Sequence, residues 1–64
     1  MDKLLENKNI LVTGASGGIG RITSVTLASY GANLILAGRN IANLTRTSEE
    51  IKKIGRISTC IPTD

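Results

Sequence analysis

Short apolar runs alternate with stretches in which apolar residues recur at helical spacing. The apolar runs lie at residues 9–13, 33–37 and about 56–61, and the helical stretches at about 18–30 and 41–54. The first two runs do not alternate polar and apolar residues, which is typical of parallel strands buried on both faces. The pattern therefore predicts a β-α-β-α-β unit with short connections.

The residues that flank the helical stretches support these bounds. Gly31 and Gly55 follow them at the position where a left-handed residue ends many helices. Asn40 precedes the second helix and is a favoured N-cap. In the first helix, the residues that we expect to pack on the sheet are Ile19, Ile22 and Val25. In the second helix they are Ile41, Leu44, Ile51 and Ile54.

Connections between parallel strands are right-handed, so both helices should lie on one face of a sheet ordered 3-2-1. This is the N-terminal half of a doubly wound, Rossmann-type α/β fold. A chain of 64 residues is shorter than most domains. We therefore expect residues 1–64 to be the N-terminal part of a dinucleotide-binding domain. The second face of the sheet and the edge of the first strand should be bare, and such surfaces associate.

The candidate chemistry lies between the first strand and the first helix. Residues 13–20 read Thr-Gly-Ala-Ser-Gly-Gly-Ile-Gly. Glycines lack a Cβ, so backbone N–H groups can approach a ligand closely, and the helix that follows adds a partial positive charge. Strand, glycine turn and helix in this order favour binding of a pyrophosphate. A Walker loop ends in Gly-Lys-Ser/Thr, whereas Arg21 follows here, which argues against triphosphate hydrolysis.

The glycine spacing resembles that of the short-chain dehydrogenase/reductase family, in its classical branch. That branch carries T-G-x-x-x-G-x-G, matched here by Thr13, Gly14, Gly18 and Gly20. Gly17 also satisfies the T-G-x-x-G-x-x-G pattern of the extended branch, but Gly18 stands where that branch usually has a bulky apolar residue. The resemblance covers the whole chain. It implies an oxidoreductase that reduces carbonyls or oxidises alcohols with a nicotinamide cofactor, 3-oxoacyl-thioester reductases being a common member type.

The resemblance also implies roles for individual residues. Within the glycine motif, those expected to contact the cofactor are Gly14, Ser16, Gly17, Gly18, Ile19 and Gly20. Ser16 would hydrogen-bond the adenosine ribose or its phosphate, and Ile19 would offer its backbone N–H to the pyrophosphate. Asn40 would flank a 2′-phosphate beside Arg39, and Asp64 would accept a hydrogen bond from the adenine amino group.

The end of the second strand indicates which dinucleotide is bound. NAD-selective sites place a carboxylate about 20 residues beyond the glycine turn, where it accepts from the ribose 2′-hydroxyl. Gly38 and Arg39 stand there instead. A guanidinium offers a permanent charge and planar donors that suit a phosphate. We therefore predict NADP(H) over NAD(H). One feature argues against this preference: NADP-preferring relatives often carry a basic residue within the glycine motif, and this chain has none there.

Composition argues against other classes of function. The net charge is only +3, the basic residues are scattered, and Tyr30 is the one aromatic residue, so we expect no nucleic-acid partner. Cys60 is alone and the chain has no His, so we expect neither a disulfide nor a metal site. The first residues are too polar for a signal peptide, and no apolar run is long enough for a membrane span. We expect a cytoplasmic protein.

We assign no catalytic residue. The family's Asn-Asn-Ala-Gly segment, catalytic Ser and Tyr-x-x-x-Lys pair have no counterpart in residues 1–64, and no other catalytic set replaces them. Two hypotheses stay open. Either the chain is the cofactor-binding front part of a longer NADP(H)-dependent oxidoreductase, or it is a non-catalytic nucleotide-binding module or truncated gene remnant. In both, the rest of a domain or a second copy would cover the bare sheet face.

Overall fold

Two helices lie against a three-stranded parallel sheet in a computed structural model that describes residues 4–63. In chain order the elements are β1 (Asn9–Thr13), α1 (Gly18–Ser29), β2 (Asn33–Gly38), α2 (Ile41–Ile54) and β3 (Ser58–Pro62). β2 is central and pairs in parallel with both neighbours. The predicted order 3-2-1 and the β-α-β-α-β half of a doubly wound sheet are confirmed.

The predicted bounds differ from the structure by at most two residues. β1 and α2 begin and end as predicted, β2 extends one residue further, and α1 ends one residue earlier. The third strand begins at Ser58 because Arg56 still closes the second helix, its backbone N–H donating to the carbonyl of Ile51 at 3.2 Å. Gly31 and Gly55 have φ of 99° and 93°, so both helices end in the left-handed conformation that favours glycine.

The strand register sends alternate side chains to opposite faces of the sheet. Val12, Leu36 and Cys60 are aligned across the three strands, and Ile10 and Leu34 are paired two residues earlier. These side chains belong to or pack against the core. The helices contribute Ala28, Leu44 and Ile51 to the same core. The core therefore lies between the sheet and one helical layer.

The opposite sheet face has no helix over it within residues 4–63. Leu11 on β1 is 58% exposed, and Ile61 on β3 is also exposed. Ile35 lies between Leu11 and Thr59 in the register. In the same part of the chain, the outer edge of β1 has no strand partner. The prediction of a bare apolar face and a bare edge is confirmed.

α1 packs on the rest of the protein through a face that we did not predict. Ile19 and Ile22 are 84% and 61% exposed, so their assignment as sheet contacts was wrong, and Val25 is only half-buried. Ser24 and Ala28 are buried instead. Small side chains allow a close approach of the helix. The buried hydroxyl of Ser24 donates to the carbonyl of Gly20 at 2.7 Å, so its burial leaves no polar group unpaired.

α2 was predicted correctly only in its middle. Leu44 and Ile51 are fully buried, as expected. Ile41 and Ile54, at the two ends of the helix, are exposed, so their assignment to the core was wrong. Thr47 is buried between the two core residues, and its hydroxyl donates to the carbonyl of Asn43 at 3.1 Å. A threonine whose hydroxyl bonds within its own helix can occupy a core position.

Candidate functional site

The glycine-rich turn connects β1 to α1 at the carboxyl edge of the sheet. Gly14 has φ 65°, which a side chain would disfavour. The backbone N–H of Ala15 donates to the carbonyl of Ala37 at 2.9 Å. Ala15 is fully buried. The turn is therefore joined to β1 along the chain and to the end of β2 by this hydrogen bond.

Two other glycines of the turn have different surroundings. A Cβ on Gly20 would lie 2.3 Å from the carbonyl oxygen of Gly14 and 2.7 Å from the Cα of Ala15, so only glycine fits there. A Cβ on Gly18 would have no heavy atom within 4 Å. Gly20 thus allows the helix to pack on the turn, whereas Gly18 leaves open space in front of it.

The N-terminus of α1 has no capping side chain. Its N-cap is Gly17, and its first turn has no acidic residue. α2 differs, because the Asn40 side chain accepts a hydrogen bond from the backbone N–H of Asn43 at 3.1 Å. The first N–H groups of α1 therefore remain available for a ligand, as far as residues 4–63 show. Unpaired N–H groups at a helix N-terminus favour an anion, so the site fits a pyrophosphate.

Ser16 brings the turn into contact with the end of β2. A Cβ on Gly38 would lie 2.7 Å from the Oγ of Ser16 and 3.0 Å from its backbone nitrogen. A residue with a carboxylate at position 38 would require the Ser16 hydroxyl to rotate and the Ser16 backbone to shift slightly. Sequence reasoning found the missing carboxylate but not this steric reason for it, which depends on a contact between two separate connections.

Arg39 and Asn40 follow β2 directly and lie at the same sheet edge as the turn. Arg39 is exposed, and its guanidinium has no hydrogen bond or ion pair to any described residue. Asn40 caps α2 as predicted. Asp64, the predicted adenine contact, lies outside the described residues. The structure therefore brings the glycine turn, Arg39 and Asn40 to one edge of the sheet.

Asn43 is a residue of this site that sequence reasoning missed. Its side-chain Nδ2 donates to the backbone carbonyl of Ser16 at 3.1 Å, which joins α2 to the glycine turn. The contact spans 27 positions in the chain. No local pattern signals such a bond, because asparagine in the first turn of a helix is also common on exposed surfaces.

The comparison with protein families identifies the fold family. Residues 8–64 match the family model described as short chain dehydrogenase. The chain belongs to the short-chain dehydrogenase family. Members of this family use a nicotinamide dinucleotide cofactor. The resemblance inferred from the glycine spacing is thus confirmed.

Individual relatives in this family are several times longer than the chain. It is 50% identical over 50 residues to the uncharacterised oxidoreductase YciK of Escherichia coli K12, covering 78% of this chain and 20% of that protein. It is 43% identical over 51 residues to 11-beta-hydroxysteroid dehydrogenase B of Sesamum indicum, covering 80% of this chain and 14% of the other. The chain thus spans a fifth or less of the length of these short-chain dehydrogenase relatives.

A solved structure in the family has the same fold over the whole chain. The citronellol catabolism dehydrogenase AtuB of Pseudomonas aeruginosa PAO1 superposes with a TM-score of 0.91 at 36% identity, covering 100% of this chain and 27% of that one. The match includes the turn and both helices. Among the helices described in residues 4–63, neither is long and apolar enough to cross a membrane.

Proposed function

We propose that residues 1–64 form the N-terminal part of a dinucleotide-binding domain and hold the adenosine and pyrophosphate half of NADP(H). The observation that supports this proposal is the N-terminus of α1, which has no side-chain cap within the described residues. Its N–H groups face no capping side chain, and Gly18 leaves the space in front of it open. A diphosphate would be bound there by backbone donors and by the positive end of the helix dipole.

The resemblance to the family supports the roles of individual residues. Gly14, Gly17, Gly18 and Gly20 shape the turn, and Ile19 offers its backbone N–H to the pyrophosphate. Ser16 binds the adenosine ribose or its phosphate, and Asn40 lies beside the 2′-phosphate. We also propose that Asp64 accepts a hydrogen bond from the adenine amino group.

The preference for NADP(H) over NAD(H) rests on two neighbouring residues. Position 38 is a glycine without a ribose-binding carboxylate, and a Cβ there would lie 2.7 Å from the Oγ of Ser16, so a larger residue would be crowded. Arg39 follows with a guanidinium that no described residue neutralises. A positive charge without a carboxylate beside it favours a 2′-phosphate over a 2′-hydroxyl.

An Arg39→Ala substitution tests this preference. We expect NADPH binding to weaken by on the order of 1–3 kcal/mol, the scale of a charge-assisted hydrogen bond, while NADH binding hardly changes. Isothermal titration calorimetry with both cofactors measures the difference. Lys53→Ala removes an exposed charge from the far end of α2 and should leave both affinities unchanged. An equal loss of both cofactors in Arg39→Ala would contradict the proposed role.

The activity that we propose for the whole protein is hydride transfer between this cofactor and a carbonyl or alcohol. 3-Oxoacyl thioesters are one candidate substrate class. The relatives above are named for a hydroxysteroid and for citronellol catabolism although they match the same stretch, so this stretch does not specify the substrate. The alternative is a nucleotide-binding module without catalysis.

Reading the open frame beyond Asp64 distinguishes these functions. A Tyr-x-x-x-Lys pair encoded downstream, after an Asn-Ala-Gly segment, supports the oxidoreductase. A stop codon directly after Asp64 supports the non-catalytic module or a gene remnant. We further propose that the remaining domain, or a second copy of the chain, covers the apolar sheet face that carries Leu11 and Ile61.

A further inference from the structure

A cavity of about 180 Å³ opens beside the glycine turn, between α1 and α2. Its lining consists of Ser16, Gly17, Gly18, Arg21, Asn43, Arg46 and Thr47. Gly17 places no side chain in this space. Water takes about 30 Å³ per molecule in the liquid, so the cavity has room for a phosphate group.

The two arginines of the cavity differ in how they are paired. Nη1 of Arg21 lies 3.0 and 3.1 Å from the two carboxylate oxygens of Glu50. This pair joins α1 to α2 and neutralises the charge of Arg21. Arg21 therefore forms part of the wall rather than a free anion-binding group.

Arg46 is the unneutralised cation of this cavity. Its guanidinium has no hydrogen bond or ion pair within residues 4–63. Glu49 and Glu50 follow on the same helix, three and four positions later, but the ion pair in this part of the chain is between Glu50 and Arg21. An arginine that precedes a glutamate by four positions is also in the less favourable order for a helical ion pair.

The floor of the cavity is fixed by hydrogen bonds. Asn43 donates from Nδ2 to the carbonyl of Ser16, and its own carbonyl accepts from the hydroxyl of Thr47, both at 3.1 Å. Arg46 lies between these two residues in the helix, three positions after Asn43, so it emerges on the same side of α2. Arg46 thus lines the same cavity as Ser16, the residue of the turn where we place the adenosine ribose.

We propose that Arg46 binds the 2′-phosphate of NADP(H) in this cavity and acts with Arg39 to select NADP(H) over NAD(H). This inference rests on the proposed function. Arg39 follows β2 at the same sheet edge as the glycine turn, whereas Arg46 itself lines the cavity from the second turn of α2. The guanidinium of Arg46 would add positive charge and planar donors for a phosphate, which a 2′-hydroxyl cannot use to the same extent.

Arg46→Gln tests the inference in the intact chain, because the substitution removes the charge from an exposed position and keeps a polar side chain of similar length. We expect the Kd for NADPH and for adenosine 2′,5′-bisphosphate to rise about tenfold, the size of one charge-assisted hydrogen bond at a partly exposed site. The Kd for NADH and for adenosine 5′-monophosphate should change less than about twofold. Arg46→Lys should restore part of the NADPH affinity.

The control is Lys53→Gln, which removes one positive charge from the same helix away from the cavity. It should leave all four dissociation constants unchanged, and circular dichroism should show the same fold for every variant.

If Arg46→Gln binds all four ligands like the parent chain while Arg39→Ala loses NADPH selectively, the inference is overturned and the proposed function stands. An equal loss of NADPH and NADH in Arg46→Gln also overturns it. If the parent chain itself does not prefer NADPH, the proposed preference fails and this inference fails with it.

Discussion

Gly18 and Gly20 stand two residues apart in the same turn, yet a Cβ would meet different surroundings at each. At Gly20 it would collide with the backbone of Gly14 and Ala15, and at Gly18 it would meet no heavy atom within 4 Å. Neither residue has a positive φ. The packing of the described residues therefore requires glycine at position 20, whereas the space in front of Gly18 is open.

This difference predicts opposite effects for two substitutions. Gly20→Ala should lower the free energy of unfolding by about 1–3 kcal/mol, because the methyl group has no room. Gly18→Val should change it by less than about 1 kcal/mol, because the position is open, and should abolish binding of both NADPH and NADH. Urea denaturation and calorimetric titration measure the two quantities. Unchanged cofactor binding in Gly18→Val would mean that the turn does not hold the pyrophosphate.

Single residues of this site were predictable to the extent that their role is local. Spacing and residue type predicted the glycine turn, the cap residue Asn40 and the place of Arg39 directly after β2. Asn43 was not found, since its bond to Ser16 joins residues 27 positions apart. The steric role of Gly38 was missed for the same reason. Both depend on how two connections meet at the sheet edge.

At the scale of elements, the two helices differ in whether a side chain accepts a hydrogen bond from the backbone N–H groups at the N-terminus. Asn40 supplies α2 with an oxygen that accepts from Asn43, whereas α1 has Gly17 as its N-cap and receives no side-chain cap within residues 4–63. A helix with a side-chain cap has fewer unpaired N–H groups at its N-terminus to bind an anion. The uncapped helix is the one that follows the glycine turn, which is why the pyrophosphate is placed there rather than at α2.

The two proposed roles of Asn40 can be separated. Asn40→Ala removes the cap and should lower the free energy of unfolding by about 1 kcal/mol. Asn40→Asp keeps a good cap, so the free energy of unfolding should stay within about 0.5 kcal/mol, but the new carboxylate should repel a 2′-phosphate and weaken NADPH binding more than NADH binding. Thermal or urea unfolding and cofactor titration give both readouts. If Asn40→Asp binds NADPH as well as before, Asn40 does not lie beside the 2′-phosphate.

The helix faces were the least predictable feature of the elements. Apolar spacing in α1 selected Ile19 and Ile22, but the buried side chains are Ser24 and Ala28. Periodicity shows that residues share a face of a helix; it does not show what lies against that face. Close packing of α1 against α2 and the strands favours small residues, and a hydropathy pattern gives these little weight.

At the scale of the whole molecule, one sheet face is covered and the other is bare. Leu11 and Ile61 are exposed on the bare face, and β1 has an open edge within the described residues. Burying apolar surface of this kind is favourable by about 25 cal/mol for each Å² removed from water. The chain by itself should therefore associate through this face.

Leu11→Thr tests this expectation, because threonine is a β-branched residue that strands favour and it reduces the apolar surface. We expect the parent chain to associate with rising concentration in analytical ultracentrifugation. Leu11→Thr should raise the concentration of half-association by about fivefold, which corresponds to the loss of roughly 1 kcal/mol of apolar burial. Leu4→Thr makes the same chemical change at another exposed position outside the sheet and should have little effect. A parent chain that stays monomeric throughout would contradict the expectation.

The sequence by itself determined the five elements, their order in the sheet, the glycine turn and the membership in the short-chain dehydrogenase family. These features are local: they depend on apolar periodicity, on glycine at helix ends and on one contiguous motif. Because crossover connections between parallel strands are right-handed, two short crossovers allow one order of the three strands, so the sheet order was also predictable from the sequence.

Only the tertiary structure decided which helix faces are buried, why position 38 is crowded by Ser16, and which cations lack a partner within residues 4–63. The contacts behind these features join residues far apart in the chain, such as Asn43 with Ser16 and Glu50 with Arg21. They exist because α1 and α2 pack side by side on one face of the sheet. That packing pairs Arg21 with Glu50 and leaves Arg46 without a partner among the described residues, a difference that residue type and spacing do not contain.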